Sequence, residues 1–353
     1  MSKLFISPDL FFVLENGQIL AWDYKKHNQY LLNENYFSEL VEVSRSGTSS
    51  NESILSDLQA GELITSMQPQ PTHWGWDILS KIFHLGTQDI YSNNSSHEIE
   101  EIVKEYLEEA ATLDQNAPPF FLDKAGTLIA LPPPAIELLE QASFFSVLKN
   151  RKTCRSFNGE PISLEQLSLI LYSGFGLIHG KEWDEFEQAN IETHGFRKAS
   201  PASGALHAEE VYLFAYRVEG LEKGIYHYRP QDHKLTQLAL GDFEDKIIEA
   251  NYNQFYSKGL SCGIYLTCRL DKLWWKYKHS RSFKVALLDL GHASQTCLLS
   301  ATALNLKTWI TAAFQDSIVN ELIRVDGKVE SAFLFIGIGH GSNQAIPEAI
   351  LQF

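Results

Sequence analysis

Three stretches of this chain carry side chains whose types and spacing suit chemistry on an anionic, planar ligand. The first is Arg151-Lys152-Thr153-Cys154-Arg155-Ser156-Phe157. It offers guanidinium forks and a hydroxyl, donors that fit a phosphate. Taken alone it reads sooner as a basic turn ahead of a helix, because short basic clusters are common. The second, Ala199-Ser200-Pro201-Ala202-Ser203-Gly204-Ala205, is built of small residues. Such residues leave backbone N–H groups open to close approach by a planar or phosphorylated group. The third runs from Trp274 to Lys284 and mixes aromatic rings with Lys276, Tyr277, Lys278 and Arg281. Beyond it, His292 and Gln295 are spaced to share one helix face. Gly174, Gly176 and Gly180 follow a helical stretch and do not open one after a strand, so a dinucleotide-type glycine loop is rejected. Cys154, Cys262, Cys268 and Cys297 form no CxxC pair and have no His-rich zinc spacing. They read as buried free thiols, with no metal site.

The elements that must hold these stretches are legible from period and punctuation. Ser163 and Gln166 form a capping box, so a helix is predicted from Ser163 to about Tyr172. A helix-like bridge, Leu206 to Glu210, is expected to lead into a strand from Val211 to Tyr216. Further strands are expected over Ile225–Tyr228, Lys234–Leu238, Leu260–Leu270, Lys307–Ile310 and Ser331–Ile338, the last running into Gly337 and Gly339. A short helix begins at Gln315-Asp316. The stretch from Leu287 to Leu304 is nearly apolar on all sides, as in a helix at the centre of a fold or of a dimer. Upstream, Asn16-Gly17 between two apolar runs predicts a hairpin of Leu10–Leu14 and Ile19–Asp23. Tyr30–Leu32 follows, then helices over Tyr36–Val43 and Ile54–Ala60 with Gly61 as C-cap. Ser96–Glu109 reads as an acidic, solvated helix, and Pro118-Pro119 and Pro132-Pro133-Pro134 as an extended connector. Lys181–Arg197 reads as a polar surface loop, and the apolar end of Ser342–Phe353 as a tail for packing on a partner subunit. The expected organisation is a module over 1–70, a connector over 71–134 and a main domain over 135–353.

The words SPASGALHAEEVYLF and GIYHYRPQDHKLTQL closely resemble the SagB/McbC-type dehydrogenases, a branch of the nitroreductase-like superfamily that uses FMN. Arg151 to Phe157 is similar to the superfamily's RRSxRxF turn, with Lys152 and Thr153 as departures that keep donor capacity. Arg281, Phe283, Lys284, Asp289, Gly291, His292, Gln295 and Leu304 match the branch's long-helix motif, and Phe83-His84 with Thr87 matches another of its words. The resemblance implies an α+β fold with an antiparallel-dominated sheet, FMN bound at the interface of a homodimer, and flavin-dependent oxidation of peptide thiazolines or oxazolines to thiazoles or oxazoles. It assigns FMN to Arg151, Lys152, Thr153, Arg155, Ser200, Ala202, Ser203, Gly204, Gln295, Gly337 and Gly339. It assigns acid–base work to Lys276 and Tyr277, with Lys278 competing for the register. The implied partners are an azoline-containing precursor peptide and a cyclodehydratase. Residues 1–70 resemble, in pattern, the winged-helix-like PqqD-type leader-recognition module, beside the plainer reading of an accessory domain. Trp74, Trp76, Phe83 and His84 are read as domain packing or a channel lining.

At 353 residues, 44% hydrophobic and 21% charged, the chain can bury a substantial core. Its net charge of −15 disfavours nucleic acid, whose recognition rests on basic patches. The N-terminal apolar run is broken by Pro8, Asp9 and Glu15, and no membrane span is expected, so a cytoplasmic protein is anticipated. Two rival readings stand beside the azoline oxidase. One is a nitro or quinone reductase driven by NAD(P)H; the other is a flavin-free leader-binding scaffold.

Overall fold

Asn16 and Gly17 take φ of 50° and 75°, the left-handed pair that a two-residue hairpin turn requires. They join β2 (Leu10–Glu15) to β3 (Gln18–Asp23), and β4 (Asn28–Leu32) completes an antiparallel meander. The computed structural model describes residues 3–49, 51–70, 73–90, 101, 104, 117–180 and 196–342. The chain divides into two units, Met1–Glu105 and Tyr106–Phe353.

In the first unit the meander is followed by α1 (Glu34–Ser46) and α2 (Glu52–Ala60), while β1 (Phe5–Ile6) pairs antiparallel with β5 (Ile64–Thr65). Asn33 caps α1, accepting from the N–H groups of Asn35 and Tyr36. Gly61 does end α2, in a right-handed and not a left-handed conformation. Ala21, Leu40, Val43, Leu58 and Ile64 form the core. α3 (Ile78–Leu85) follows. There the Trp74 indole donates to the Ser80 hydroxyl and its ring packs edge-on to Trp76 and beside His84. The acidic helix expected over Ser96–Glu109 lies outside the described residues except at Glu101 and Lys104.

The second unit is α+β. In chain order it runs β6 (Thr127–Ala130), α4 (Glu137–Glu140), α5 (Phe144–Asn150), β7 (Ile162–Ser163), α6 (Leu164–Phe175), β8 (Glu209–Ala215), β9 (Val218–Glu219), β10 (Gly224–Arg229), β11 (Lys234–Leu240) and α7 (Glu244–Ala250). Then come β12 (Cys262–Arg269), α8 (Leu270–Lys276), α9 (Arg281–Ala303), β13 (Lys307–Thr311), α10 (Asp316–Ile323) and β14 (Glu330–Gly339). A seven-stranded sheet has the order β13-β14-β12-β8-β10-β11-β6, antiparallel at every pair. Successive strand side chains face opposite ways, and both faces are buried. Leu213, Ile264 and Ile336 share one face with Leu167 of α6 and Cys297 of α9. Tyr212, Phe214, Tyr265 and Phe335 share the other with Ile247 of α7 and Val319 of α10. The short β7 pairs parallel with β9, and the capping box of Ser163 and Gln166 opens α6.

Several expectations are corrected. β6 comes from the stretch read as a connector and is an edge strand of the sheet. Leu206–Glu210 is not helical: a 3₁₀ turn, Ser203–Ala205, precedes it, and Glu209 and Glu210 already belong to β8. α9 begins at Arg281. Phe283, Leu287, Leu288, Gly291, His292 and Gln295 form a stripe at helical spacing that the sheet leaves exposed. The polar loop expected over Lys181–Arg197 is outside the described residues up to 195, as is the tail beyond Ser342.

Candidate active site

The small-residue stretch folds into a turn with a glycine at a left-handed position. Gly204 takes φ 57°, and an added Cβ there would sit 2.7 Å from both the Lys276 Nζ and the Tyr277 hydroxyl. Two residues far off in sequence are thus brought against one exposed backbone position. Lys276 is the last residue of α8, and Tyr277 leaves the helix with extended φ and ψ of −115° and 101°. That exit turns the phenol back toward the amine, which lies 5.8 Å from the Tyr277 ring centroid. Lys276 is half-buried, and burial lowers its pKa from the usual lysine value. Lys278 is exposed, so of the competing lysines it is Lys276 that meets the turn.

Around Gly204 the turn is tied to α9. The Ser203 N–H donates to Asp289 Oδ2 at 3.0 Å. The Ser200 hydroxyl lies 3.2 Å from the His292 carbonyl and 2.6 Å from the Thr296 hydroxyl. Burial raises the Asp289 pKa, while the Ser203 amide opposes the rise. Ala202 is extended just ahead of the turn. His292 and Gln295 are exposed on the same helix, so Gln295 stands on the open stripe near the turn.

Sequence reading missed a buried ionic cluster directly behind this turn. Lys198 donates to Glu209 at 2.9 Å, and His207 Nδ1 lies 3.5 Å from the same oxygen. Burial alone would raise the Glu209 pKa, but Lys198 and His207 outweigh it and hold the carboxyl well below its usual range. Glu210 meets His227 Nε2 at 2.8 Å and Arg269 at 3.9 Å. Lys272 donates to the carbonyls of Leu206 and His207 at 3.2 and 3.1 Å. Taking Glu209 and Glu210 for part of a helix-like bridge hid them as the first residues of a fully buried strand. Their partners lie on other elements and are invisible to local pattern.

The basic turn stands apart. Arg151 caps the C-terminus of α5. Thr153 then forms a parallel bridge with Thr308 of β13, and the Cys154 N–H donates to the Thr308 carbonyl at 2.8 Å. Arg155 lies 5.9 Å over the Tyr256 ring. Among the described residues Arg151, Lys152 and Arg155 form no ion pair, although the chain is strongly acidic. Uncommitted guanidinium forks and a hydroxyl are a donor set that fits a phosphate. Thr308 pairs with Ile338 near one end of β14, whereas Arg269, just before α8, pairs with Glu330 at the other. At strand rise these points are on the order of 25 Å apart along β14. A single copy therefore holds the basic turn beside one end of β14, while the strand that leads into α8 pairs with its other end. Gly337 and Gly339 are buried, and the space over them is taken by the Leu260 side chain and the Ser261 backbone and hydroxyl.

The nitroreductase family model matches residues 148–340. The chain is 26% identical to the trifolitoxin-processing protein TfxB of Rhizobium leguminosarum over 289 residues, which covers 79% of this chain and 73% of TfxB. It is 25% identical to a candidate nitroreductase of Methanocaldococcus jannaschii, covering 53% of this chain and 87% of that one. The microcin B17-processing protein McbC of Escherichia coli is 26% identical over 37% of this chain and 49% of its own. The crystal structure of a candidate nitroreductase from Anabaena variabilis superposes with a TM-score of 0.51 at 20% identity, covering 67% of this chain and 47% of that one. The chain thus spans about half the length of McbC and of the Anabaena protein.

Proposed function

From a chain that belongs to the nitroreductase family, with peptide-toxin processing proteins among its relatives, we propose an FMN-dependent dehydrogenase that oxidises peptide thiazolines or oxazolines to the aromatic azoles. The observation that carries this reading is the meeting of the Lys276 amine and the Tyr277 hydroxyl on Gly204. Aromatising an azoline removes a proton from the ring α-carbon and a hydride from the β-carbon. Flavin, when bound, would supply the two-electron acceptor, with molecular oxygen as the final oxidant. Lys276, depressed by burial and so more readily neutral, takes the α-proton. Tyr277 donates a hydrogen bond to the ring heteroatom or to the amine and fixes its direction. Arg151, Lys152, Thr153 and Arg155 hold the phosphate and ribityl end, and Ser200, Ala202, Ser203, Gly204 and Gln295 line the ring system. Gly337 and Gly339 act at one remove, by keeping the end of β14 slim.

A homodimer would bring these two groups of residues to one cofactor site. The exposed α9 stripe, with Leu287 43% and Leu288 61% exposed, and the exposed Phe144 and Phe145 of the neighbouring α5, supply an apolar face for a second copy. The basic turn of one protomer would then meet the Ser203–Gly204 turn of its partner. The unit Met1–Glu105, a meander followed by two helices, serves in this reading as a winged-helix-like leader-recognition module. The peptide arrives from a cyclodehydratase in the cytoplasm. The test offers the FMN-loaded protein an azoline peptide and NAD(P)H separately. Peptide oxidation without nicotinamide supports the proposal. Flavin reduction by NAD(P)H with no azoline turnover replaces it with a nitro or quinone reductase, and failure to bind flavin replaces it with a scaffold.

A further inference from the structure

The turn that presents Gly204 is strained, and two buried charges grip it from opposite ends. Besides Gly204, two residues with side chains take left-handed φ here, Ala205 at 54° and His207 at 43°. L side chains rarely adopt this region, because Cβ then crowds the following carbonyl oxygen. Strain of this kind persists only where the surroundings over-determine it. At one end Asp289 Oδ2 accepts the Ser203 N–H. At the other, the Lys272 ammonium donates to the carbonyls of Leu206 and His207. Lys272 is 3% exposed, lies 4.2 Å over the Phe120 ring, and stands one helical turn before Lys276 on α8. Glu209 and Glu210 face it as counter-charges, and Lys198 and Arg269 as like charges. With burial as the largest cause, its pKa is lowered to about 8. An amine this costly to bury is out of place as mere filling, since a methionine would pack there without desolvating a charge.

We propose that Lys272 and Asp289 are positioning residues that clamp the Ser203–His207 turn and so hold Gly204 against the Lys276 amine and the Tyr277 hydroxyl. The clamp rests on the reading of Lys276 as the base, but it is a statement about the burial of that amine and can be tested without turnover. Opening the clamp exposes Lys276 and returns its pKa toward the ordinary lysine value, because burial is what lowers it.

The pKa of Lys276 is read by competitive acetylation across pH, quantified by peptide mass spectrometry, on the full chain and its variants. Lys272→Met raises it. Asp289→Ala also raises it, although loss of a carboxylate by charge alone would lower a nearby lysine pKa. Asp289→Asn keeps an oxygen for the Ser203 amide and gives no rise. That contrast isolates the hydrogen bond from the charge, and it stands alone if Lys272→Met does not fold. A Lys276 pKa in Asp289→Ala equal to that in Asp289→Asn overturns the clamp. In the FMN-loaded enzyme, the clamp variants lose about 10- to 100-fold in kcat, the scale of a misplaced reacting group, with KM little changed. Variants that show the pKa pattern beside a wild type that oxidises no azoline would leave the clamp standing and sink the proposed reaction. An active wild type with unshifted variants would do the reverse.

Discussion

At the scale of single residues, the account turns on a glycine, an amine and a phenol. Gly204→Ala introduces a methyl 2.7 Å from the Lys276 Nζ and the Tyr277 hydroxyl at a left-handed φ. It is expected to cut kcat at least about tenfold through displacement of the pair, with a stability loss of about 1 kcal/mol, read by steady-state kinetics and denaturant unfolding. Lys276→Met removes the proposed base and should cost about 10²- to 10⁴-fold in kcat with flavin still bound. The sign of the pH dependence follows from burial. Desolvation disfavours the ammonium, so the neutral amine forms at lower pH than in a free lysine. The pH profile of kcat/KM should therefore rise on a limb below the ordinary lysine value and flatten above it. That limb should be missing in Lys276→Met. Sequence words supplied Lys276 and Tyr277, while the fold shows that Lys276, and not the exposed Lys278, lies against Gly204.

At the scale of elements, period and caps were readable wherever the controlling contacts are local. The Asn16-Gly17 hairpin and the Ser163 capping box formed as local chemistry requires. Ser163→Ala should lower stability by about 1 kcal/mol, as loss of a helix cap does, measured by thermal or denaturant unfolding, with FMN affinity unchanged. The elements misread were those decided at long range. Thr127–Ala130 became a strand because β11 offers it an open edge. Glu209 and Glu210 entered β8 because Lys198, His227 and Arg269 are there to meet them. A pair of glutamates reads as solvent-exposed until its partners are placed, and those partners come from both sides in sequence. The exposed stripe of α9 was hidden for a related reason. Composition makes that helix nearly apolar all round, while register decides which side the sheet covers and which it leaves open.

At the scale of the whole molecule, the proposed homodimer would make the second copy part of the chemistry, with the basic turn of one protomer meeting the Ser203–Gly204 turn of its partner. Leu288→Glu places a charge on the exposed α9 stripe. It is expected to yield a monomer in analytical ultracentrifugation and to weaken FMN binding at least about tenfold, since each copy would keep only one group of contacts. Among the described residues no helix is long and apolar enough to cross a membrane. The central claim is that this chain withdraws a proton and a hydride from an azoline ring. Its most direct test is anaerobic mixing of the FMN-loaded protein with an azoline-containing peptide, followed by flavin absorbance and by the mass of the peptide. Bleaching of the flavin band in step with the loss of two hydrogens from the peptide, with no nicotinamide present, is the predicted result. A flavin that stays oxidised with azoline peptide but bleaches at once with NAD(P)H would contradict it.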